Sequence, residues 1–155
     1  MEILLLEAAG ERFALPAAQV RRVVRAVAVA SLPGAPSAID GVIDVHGRVV
    51  PVLSLRRRFG LPDREVHPDD VLVLAAVGAR EVALRVDAAL SLARTDPSRV
   101  VPAAGVVARP GYAAGVATLP DGVVVIHDLG AFLDEAEGAA LDAALAAGSG
   151  EGTPG

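Results

Sequence analysis

The chain has 155 residues, 53% hydrophobic and 21% charged, with a formal net charge of −5. That apolar share supports a sizeable core and excludes disorder over most of the length, while the acidic balance and 3% aromatic content exclude general nucleic-acid binding, which needs a basic surface and stacking rings. Cys, Lys, Asn and Trp are absent, which removes disulfides, thiol and lysine nucleophiles, thiolate metal sites and N-glycosylation.

Met1-Glu2 enters an apolar run directly, without a basic leader. The longest uncharged stretch, 26–39, is broken by Pro33, Gly34 and Pro36 and is too short to span a bilayer, so a cytoplasmic protein is expected. Ile3-Leu4-Leu5-Leu6 and Arg12-Phe13-Ala14-Leu15, divided at Gly10 and stopped by Pro16, predict a β-hairpin. Residues 20–29, Val-rich and interspersed with Arg, predict a half-buried strand, and Leu32-Pro33-Gly34-Ala35-Pro36 predicts a loop. Runs 41–45 and 49–53 flank His46-Gly47-Arg48 and predict a second hairpin, followed by a short helical turn at 55–59. The polar segment 63–70 is the expected midpoint connector. Runs 71–77 and 81–86 predict a third hairpin about Gly78, 96–110 a loop, and 112–119 with 123–126 a fourth hairpin. From 128 to 147, Leu129, Phe132, Leu133, Ala136, Ala140, Leu141 and Leu145 recur at helical spacing. Residues 148–155 read as a flexible Gly-rich tail.

The chain also repeats itself. The run ending at Gly10 matches the run ending at Gly78, and Phe13-Ala14-Leu15 matches Val82-Ala83-Leu84 at nearly the same offset. Gly41-Val42 and Gly115-Val116 open similar hairpins at a slightly larger offset. Chance similarity of Val- and Ala-rich strands is the alternative. As a repeat, each half offers a hairpin, a further strand, a loop, a hairpin and a helical turn. Each half is then expected to curl into a small barrel, leaving a groove between two barrels where partners commonly bind.

The inventory argues against catalysis. His46, His67 and His127 lack an evident nucleophile partner, no G-x-S-x-G occurs, and His127-Asp128 are sequence neighbours that a strand points to opposite faces. Asp63, Glu65, His67, Asp69 and Asp70 lack EF-hand spacing and read as a solvated connector rather than a metal site. Arg56-Arg57-Arg58 reads as a solvated face or as partners for nearby acids. An interaction module with no catalytic residues, metal or cofactor is expected.

Leu32-Pro33-Gly34-Ala35-Pro36, Gly41-Val42-Ile43-Asp44-Val45-His46-Gly47, Val49-Val50-Pro51-Val52-Leu53-Ser54-Leu55-Arg56 and Arg58-Phe59-Gly60 together resemble the CheW-like domain family. Val82-Ala83-Leu84-Arg85-Val86-Asp87 and the stretch from Gly115 through Asp121-Gly122 to Leu129 resemble its later strands and closing hairpin. The resemblance covers residues 2–135 and places the domain at 1–136, with a connector near 60–70 and with 137–155 as helix end and tail. It implies a mainly β fold: two intertwined SH3-like five-stranded β-barrels with a groove between them, plus a C-terminal helix.

It further implies a non-catalytic chemotaxis adaptor, cytoplasmic and associated with receptor arrays at the inner membrane without inserting into it. Its partners would be the regulatory domain of a CheA-like histidine kinase and the cytoplasmic hairpin tip of a methyl-accepting chemoreceptor. Alone it would be a monomer. No residue is assigned to the kinase. Carried over by motif, the receptor groove would take Val20, Arg22, Val23, Val42, Ile43, Asp44, His46 and Gly47. Strand alternation equally allows the three valines and Ile43 to be core, and Gly47 to serve only the turn. The chain departs from the family pattern at Arg22 (often Glu), Asp44 (Asn), His46 (Arg) and Ser54 (Asp). These departures suggest a charge rearrangement coupling Arg22 with His46 and Asp44. They also leave open a divergent scaffold of a non-flagellar chemosensory pathway that binds no standard receptor or kinase.

Overall fold

The structure, a computed structural model, describes residues 1–77, 80–102 and 113–150. In chain order it forms β1 (Glu2–Ala8), β2 (Glu11–Pro16), β3 (Val20–Arg25), β4 (Ile39–Val45), β5 (Arg48–Ser54), a one-turn helix α1 (Leu55–Arg58), β6 (Val71–Val77), β7 (Arg80–Val86), β8 (Ala88–Arg94), β9 (Val100–Pro102), β10 (Ala113–Leu119), β11 (Gly122–His127) and α2 (Glu135–Gly150). Short 3₁₀ turns occupy Ala17–Gln19, Pro97–Arg99 and Leu129–Ala131.

Two sheets result. One runs β8-β1-β2-β11-β10-β9 and the other β3-β6-β7-β5-β4. Neither sheet is built from one half of the chain. The first hairpin, β1–β2, is inserted among second-half strands, and the third hairpin, β6–β7, is inserted among first-half strands. The joins are equivalent: β2 pairs in parallel with β11, and β7 pairs in parallel with β5. The two halves therefore exchange their leading hairpins. This corrects the expectation that each half curls on itself, and it gives physical form to the intertwined barrels.

The exchanged hairpins explain the longest apolar runs. Ile3, Leu5 and Ala14 point into one barrel interior with Ala117, Leu119 and Ile126, while Leu72, Leu74 and Ala83 point into the other with Ile43, Val50 and Val52. The alternate residues Leu4, Leu6, Phe13, Leu15, Val73, Ala75, Val82 and Leu84 meet in a third core between the sheets. Both faces of these strands are buried, so they read as continuous hydrophobic sequence rather than alternating sequence. Truncating such a side chain, for example Leu84→Ala, costs about 2–5 kcal/mol.

Each sheet is closed by the chain continuing from its edge strand. The backbone leaves β3, bends, and returns at Ala30, whose N–H donates to the Val42 carbonyl (2.9 Å) while Val42 N–H donates back (2.8 Å). In the other half β8 continues through the Pro97–Arg99 turn into β9, where Val101 pairs with Val116. Val42 and Val116 are the equivalent residues of the two repeat hairpins. Both returns cross at a glycine beside a bulge. A Cβ on Gly41 would lie 2.0 Å from the Ala30 carbonyl oxygen, and one on Gly115 would lie 2.8 Å from the Val100 side chain.

Several elements differ from expectation. The strand expected over 20–29 stops at Arg25 and is largely exposed rather than half buried, because it is a sheet edge. Strand β8 does not stand out in the sequence, since it is made mostly of Ala, Leu and Ser with no β-branched or aromatic residue. The loop expected at 96–110 contains a turn and β9 as far as Pro102, and its remainder lies outside the described residues, as do the Gly78 turn and Tyr112. The helix expected from 128 begins at Glu135. Asp128 instead accepts from Gly130 N–H (2.9 Å) to cap the 3₁₀ turn. Asp134 and Glu137 then exchange backbone-to-carboxylate bonds of 2.7 and 3.1 Å, a capping box that starts α2. The helix runs into the expected tail, to Gly150, with 151–155 outside the described residues. Leu141 and Ala144 are buried beneath it, whereas Ala136 and Ala140 face outward.

Candidate protein-docking groove

Where the outer faces of β3 and β8 meet the sheet interface, a cleft of about 340 Å³ is lined by Glu2, Leu4, Ala17, Val20, Val23 and Leu92. Val23 is 42% exposed and Leu92 61% exposed, which is unusual for side chains beside a core. A bulge brings Val20 and Val23 onto one face. Val20 lies opposite Ala75 and Arg22 opposite Leu74, so Arg21 is the extra residue. The other half repeats this. Leu5 lies opposite Ser91 and Leu6 opposite Ala89, so Leu90 is the extra residue. Arg21 and Leu90, and likewise Val23 and Leu92, share the sequence offset that relates Phe13 to Val82. Of the residues lining the cleft, Val23 and Leu92 are equivalent positions of the two repeats, whereas Glu2, Leu4, Ala17 and Val20 come from the first half alone.

The expected groove residues divide. Val20 and Val23 share this cleft. Arg22 faces the opposite side of β3, aligned with Leu74, and is exposed. Val42, Ile43 and Asp44 lie on β4, the far edge of the same sheet, with β6, β7 and β5 between. Ile43 is 4% exposed and packs inside the barrel, so its side chain is not available to a partner. Asp44 is exposed, and Val42 is half buried behind Ala30. His46 and Gly47 form the exposed hairpin tip, both at positive φ (50° and 84°), and His46 is one of two non-glycine residues so placed among the described residues. Leu4, Ala17 and Leu92 line the cleft but lie outside the expected set.

Among the described residues no ion pair joins Arg22 to Asp44 or His46, so the direct coupling suggested by the departures from the family pattern is not formed. The link between these regions runs through their neighbours. Arg48 donates twice to Glu81 Oε1 (3.1 and 2.9 Å), and Arg21 approaches Glu81 Oε2 at 3.5 Å.

The polar connector is not simply solvated. Asp70 is 1% exposed and Arg85 is 4% exposed. Arg85 donates to Asp40 (2.6 Å), Asp70 (3.2 Å), the Ser54 hydroxyl (3.4 Å) and the Arg64 carbonyl (3.3 Å). Burial opposes the Arg85 charge, but the bonds to Asp40 and Asp70 more than offset it and hold the guanidinium above its usual range. Arg64 pairs with Asp70 as well, and Arg56 grips Asp87 with two bonds of 3.1 and 2.7 Å. Burial pushes the Asp87 carboxyl up, yet Arg56 and the Ala9 N–H prevail and hold it below the usual carboxylate range. The run Arg56-Arg57-Arg58 thus serves nearby acids: Arg57 pairs with Asp63 (2.7 Å) and Arg58 with Glu137 (3.0 Å). Ser54, where the family has Asp, caps α1 by accepting from Arg57 N–H (3.3 Å). Among the described residues no group of three or more His, Asp and Glu side chains is arranged to hold a metal.

His127 is buried against Phe13, Phe59 and Phe132, with ring centroids 5.3, 4.7 and 6.3 Å away. Among the described residues its Nδ1 has no hydrogen-bond partner, and burial pushes its pKa down to about 4. It is a neutral aromatic core residue.

A family model described as the CheW-like domain matches residues 2–137. The chain is 32% identical over 80 residues to the chemotaxis protein CheW of Bacillus subtilis, covering 52% of this chain and 51% of that protein. It is 23% identical over 130 residues to CheW of Rhizobium meliloti, covering 83% and 84%. The crystal structure of the scaffolding protein TtCheW from Thermoanaerobacter tengcongensis superposes with a TM-score of 0.80 at 25% identity, covering 88% of this chain and 94% of that one.

Proposed function

Because the chain belongs to the CheW-like domain family, we propose that it is an adaptor that couples the cytoplasmic hairpin tip of a chemoreceptor to a CheA-like histidine kinase. A family of chemotaxis scaffolds agrees with the reading of the chain as a non-enzyme. The observation that carries the proposal is the cleft itself. Val23 and Leu92 stand exposed on two edge strands over an apolar floor of Leu4 and Val20. An amphipathic helical segment laid in such a groove buries its apolar ridge and leaves its polar face in water.

The kinase would be engaged elsewhere, barrel to barrel, through its regulatory domain of the same fold, leaving the cleft free for the receptor. No helix among the described residues is long and apolar enough to cross a membrane, so membrane proximity would come through the receptor array. In this reading the adaptor unit is 1–136, and α2 beyond it lends Leu141 to the shared core.

Co-purification of the full chain with a CheA-like kinase and a receptor cytoplasmic fragment tests the proposal. The wild type retains both, and Val23→Asp loses the receptor while keeping the kinase. Failure of the folded wild type to retain either partner would favour a second reading, a divergent scaffold of a non-flagellar pathway. That reading is motivated by Asp44 and His46, both exposed on the β4–β5 hairpin where the family carries other residues.

A further inference from the structure

We infer that the cavity between α2 and the core shared by the two sheets is a binding site for a small apolar amine, separate from the β3–β8 cleft and independent of the adaptor reading.

A gap interrupts the core-facing stripe of α2. Leu141 and Leu145 pack on the core between the sheets, and Ala144 is buried with them. Position 138 stands three residues before Leu141 and seven before Leu145, so it belongs to the same stripe. The residue there is Gly138. A Cβ added to it would meet Arg80 Nη2 at 3.7 Å, an ordinary contact, and no other atom within 4 Å among the described residues outside its own stretch of helix. A larger side chain would therefore fit, and it would suit the helix better than glycine does.

The gap opens onto a cavity of about 410 Å³. Its floor is Leu53, Val82, Leu84, Leu129 and Phe132, each at most 4% exposed. Leu53 belongs to β5, and Val82 and Leu84 to β7, so the cavity has sheet on one side and α2 on the other. An apolar chamber of this size with a few polar groups suits a small organic molecule. A molecule seated there touches both walls and fastens α2 to the barrels.

The polar groups set the charge of what fits. Asp134, Glu135 and Asp142 line the cavity and are exposed, so they form its rim together with Arg80. Arg80 and Asp142 form a two-bond ion pair (2.8 and 3.0 Å) and neutralise each other. Asp134 accepts from Glu137 N–H but pairs with no cation among the described residues, and neither does Glu135. The N-terminal pole of α2 offsets about half a charge, which leaves the rim negative. An ammonium group on an apolar body matches both parts: the body covers the Leu and Phe floor, and the charge meets the two carboxylates. A carboxylate on the same body meets repulsion.

The test uses three probes that share one apolar body: phenylbutylamine, phenylbutanol and phenylbutyrate. Each is titrated into the full chain, followed by methyl NMR shifts and by melting temperature. The amine binds about fivefold tighter than the alcohol, and the acid binds weakest. The shifts centre on Val82, Leu84, Leu129 and Leu133. At about a hundredfold excess over Kd the amine raises the melting temperature by roughly 5–10 °C. Gly138→Leu fills the cavity, melts no lower than wild type and loses the amine. Should that variant not fold, Ala139→Phe narrows the cavity from the same wall and is read in the same way. Glu135→Gln keeps the binding but narrows the margin of amine over alcohol. Equal binding of the three probes, or tighter binding of the acid, overturns the amine assignment. Absence of binding by every probe, binding unchanged in Gly138→Leu, or shifts centred on Val23 and Leu92 overturns the site itself. Loss of a kinase or receptor fragment from Gly138→Leu, with no probe bound by wild type, gives the cavity to a partner's side chain and overturns the inference as well.

Discussion

Val23 and Leu92, equivalent positions of the two sequence repeats, line one cleft from its two sides. Each belongs to an edge strand, each sits two positions beyond a bulge, and each is more exposed than a strand residue beside a core usually is. Leu92→Asp is therefore expected to weaken receptor-fragment retention as strongly as Val23→Asp, about tenfold or more for either. The melting temperature of each variant should stay within a few degrees of wild type, because neither side chain is buried. A Leu92→Asp protein that binds normally would remove β8 from the interface.

Gly41 is the tightest point of the barrel closure. With φ at 155° and the Ala30 oxygen 2.0 Å from any added Cβ, Gly41→Ala must push the returning strand away. The expected cost is about 3 kcal/mol or more, read from urea denaturation. Gly115→Ala meets the Val100 side chain at 2.8 Å and the Val101 carbonyl oxygen at 3.1 Å, both looser than the 2.0 Å at Gly41, and should cost less. Equal losses for the two would show that the side chain gives no more than the backbone.

Arg85 holds two buried carboxylates, Asp40 and Asp70, beneath the connector. Arg85→Ala leaves Asp40 with only the more exposed Arg57 at 3.7 Å and Asp70 with Arg64, and is expected to destabilise by about 3 kcal/mol. Adding Asp70→Asn should recover part of that loss, because it removes one of the stranded charges. A double-mutant cycle measures the recovery, and strict additivity would show that the two groups act independently.

His127 gives stability a pH dependence of definite sign. Its pKa falls from the ordinary 6.5 to about 4 in the fold, so the folded state favours the neutral ring. As pH drops through 6.5 the unfolded chain takes up the proton first, and stability is lost progressively until about pH 4. The loss is about 2 kcal/mol between pH 7 and pH 5. The carboxylates held low, such as Asp63 and Asp87, contribute stability lost only at lower pH, as they protonate. His127→Phe should flatten the urea midpoint between pH 7 and pH 5, and an unchanged slope would assign it to other groups.

The hairpins are legible in the sequence because their apolar runs and Gly turns are local signals, and the repeat is legible because Ile3–Leu6 and 71–74 are both apolar at every position. The exchange of hairpins is not. Whether β2 pairs with a strand of its own half or with β11 leaves the same hydrophobic pattern in the sequence, since both barrels present apolar interiors. Val20 and Val23 are reached through the family resemblance, whereas Leu92 follows from carrying the repeat offset one strand further, into a strand mostly of Ala and Leu with no β-branched or aromatic residue to mark it as one. Ile43 reads as a groove residue because it neighbours Asp44 and His46, yet alternation sends it inward. The Arg85 cluster is hidden because Asp40, Asp70 and Arg85 are far apart in the chain and each, read locally, looks like surface.

The traded hairpins make this chain the covalent counterpart of a swapped dimer. A chain cut within 63–70 yields two fragments, each missing the central strands of its own sheet and holding those of the other. Such fragments are expected to be unfolded apart and to reconstitute when mixed, and two copies of one half have the geometry to swap with each other. During synthesis, too, the first half must wait. Its sheet stays open until β6 and β7 emerge, so β3 and β5 spend that interval as unguarded edges that only the second half can cover.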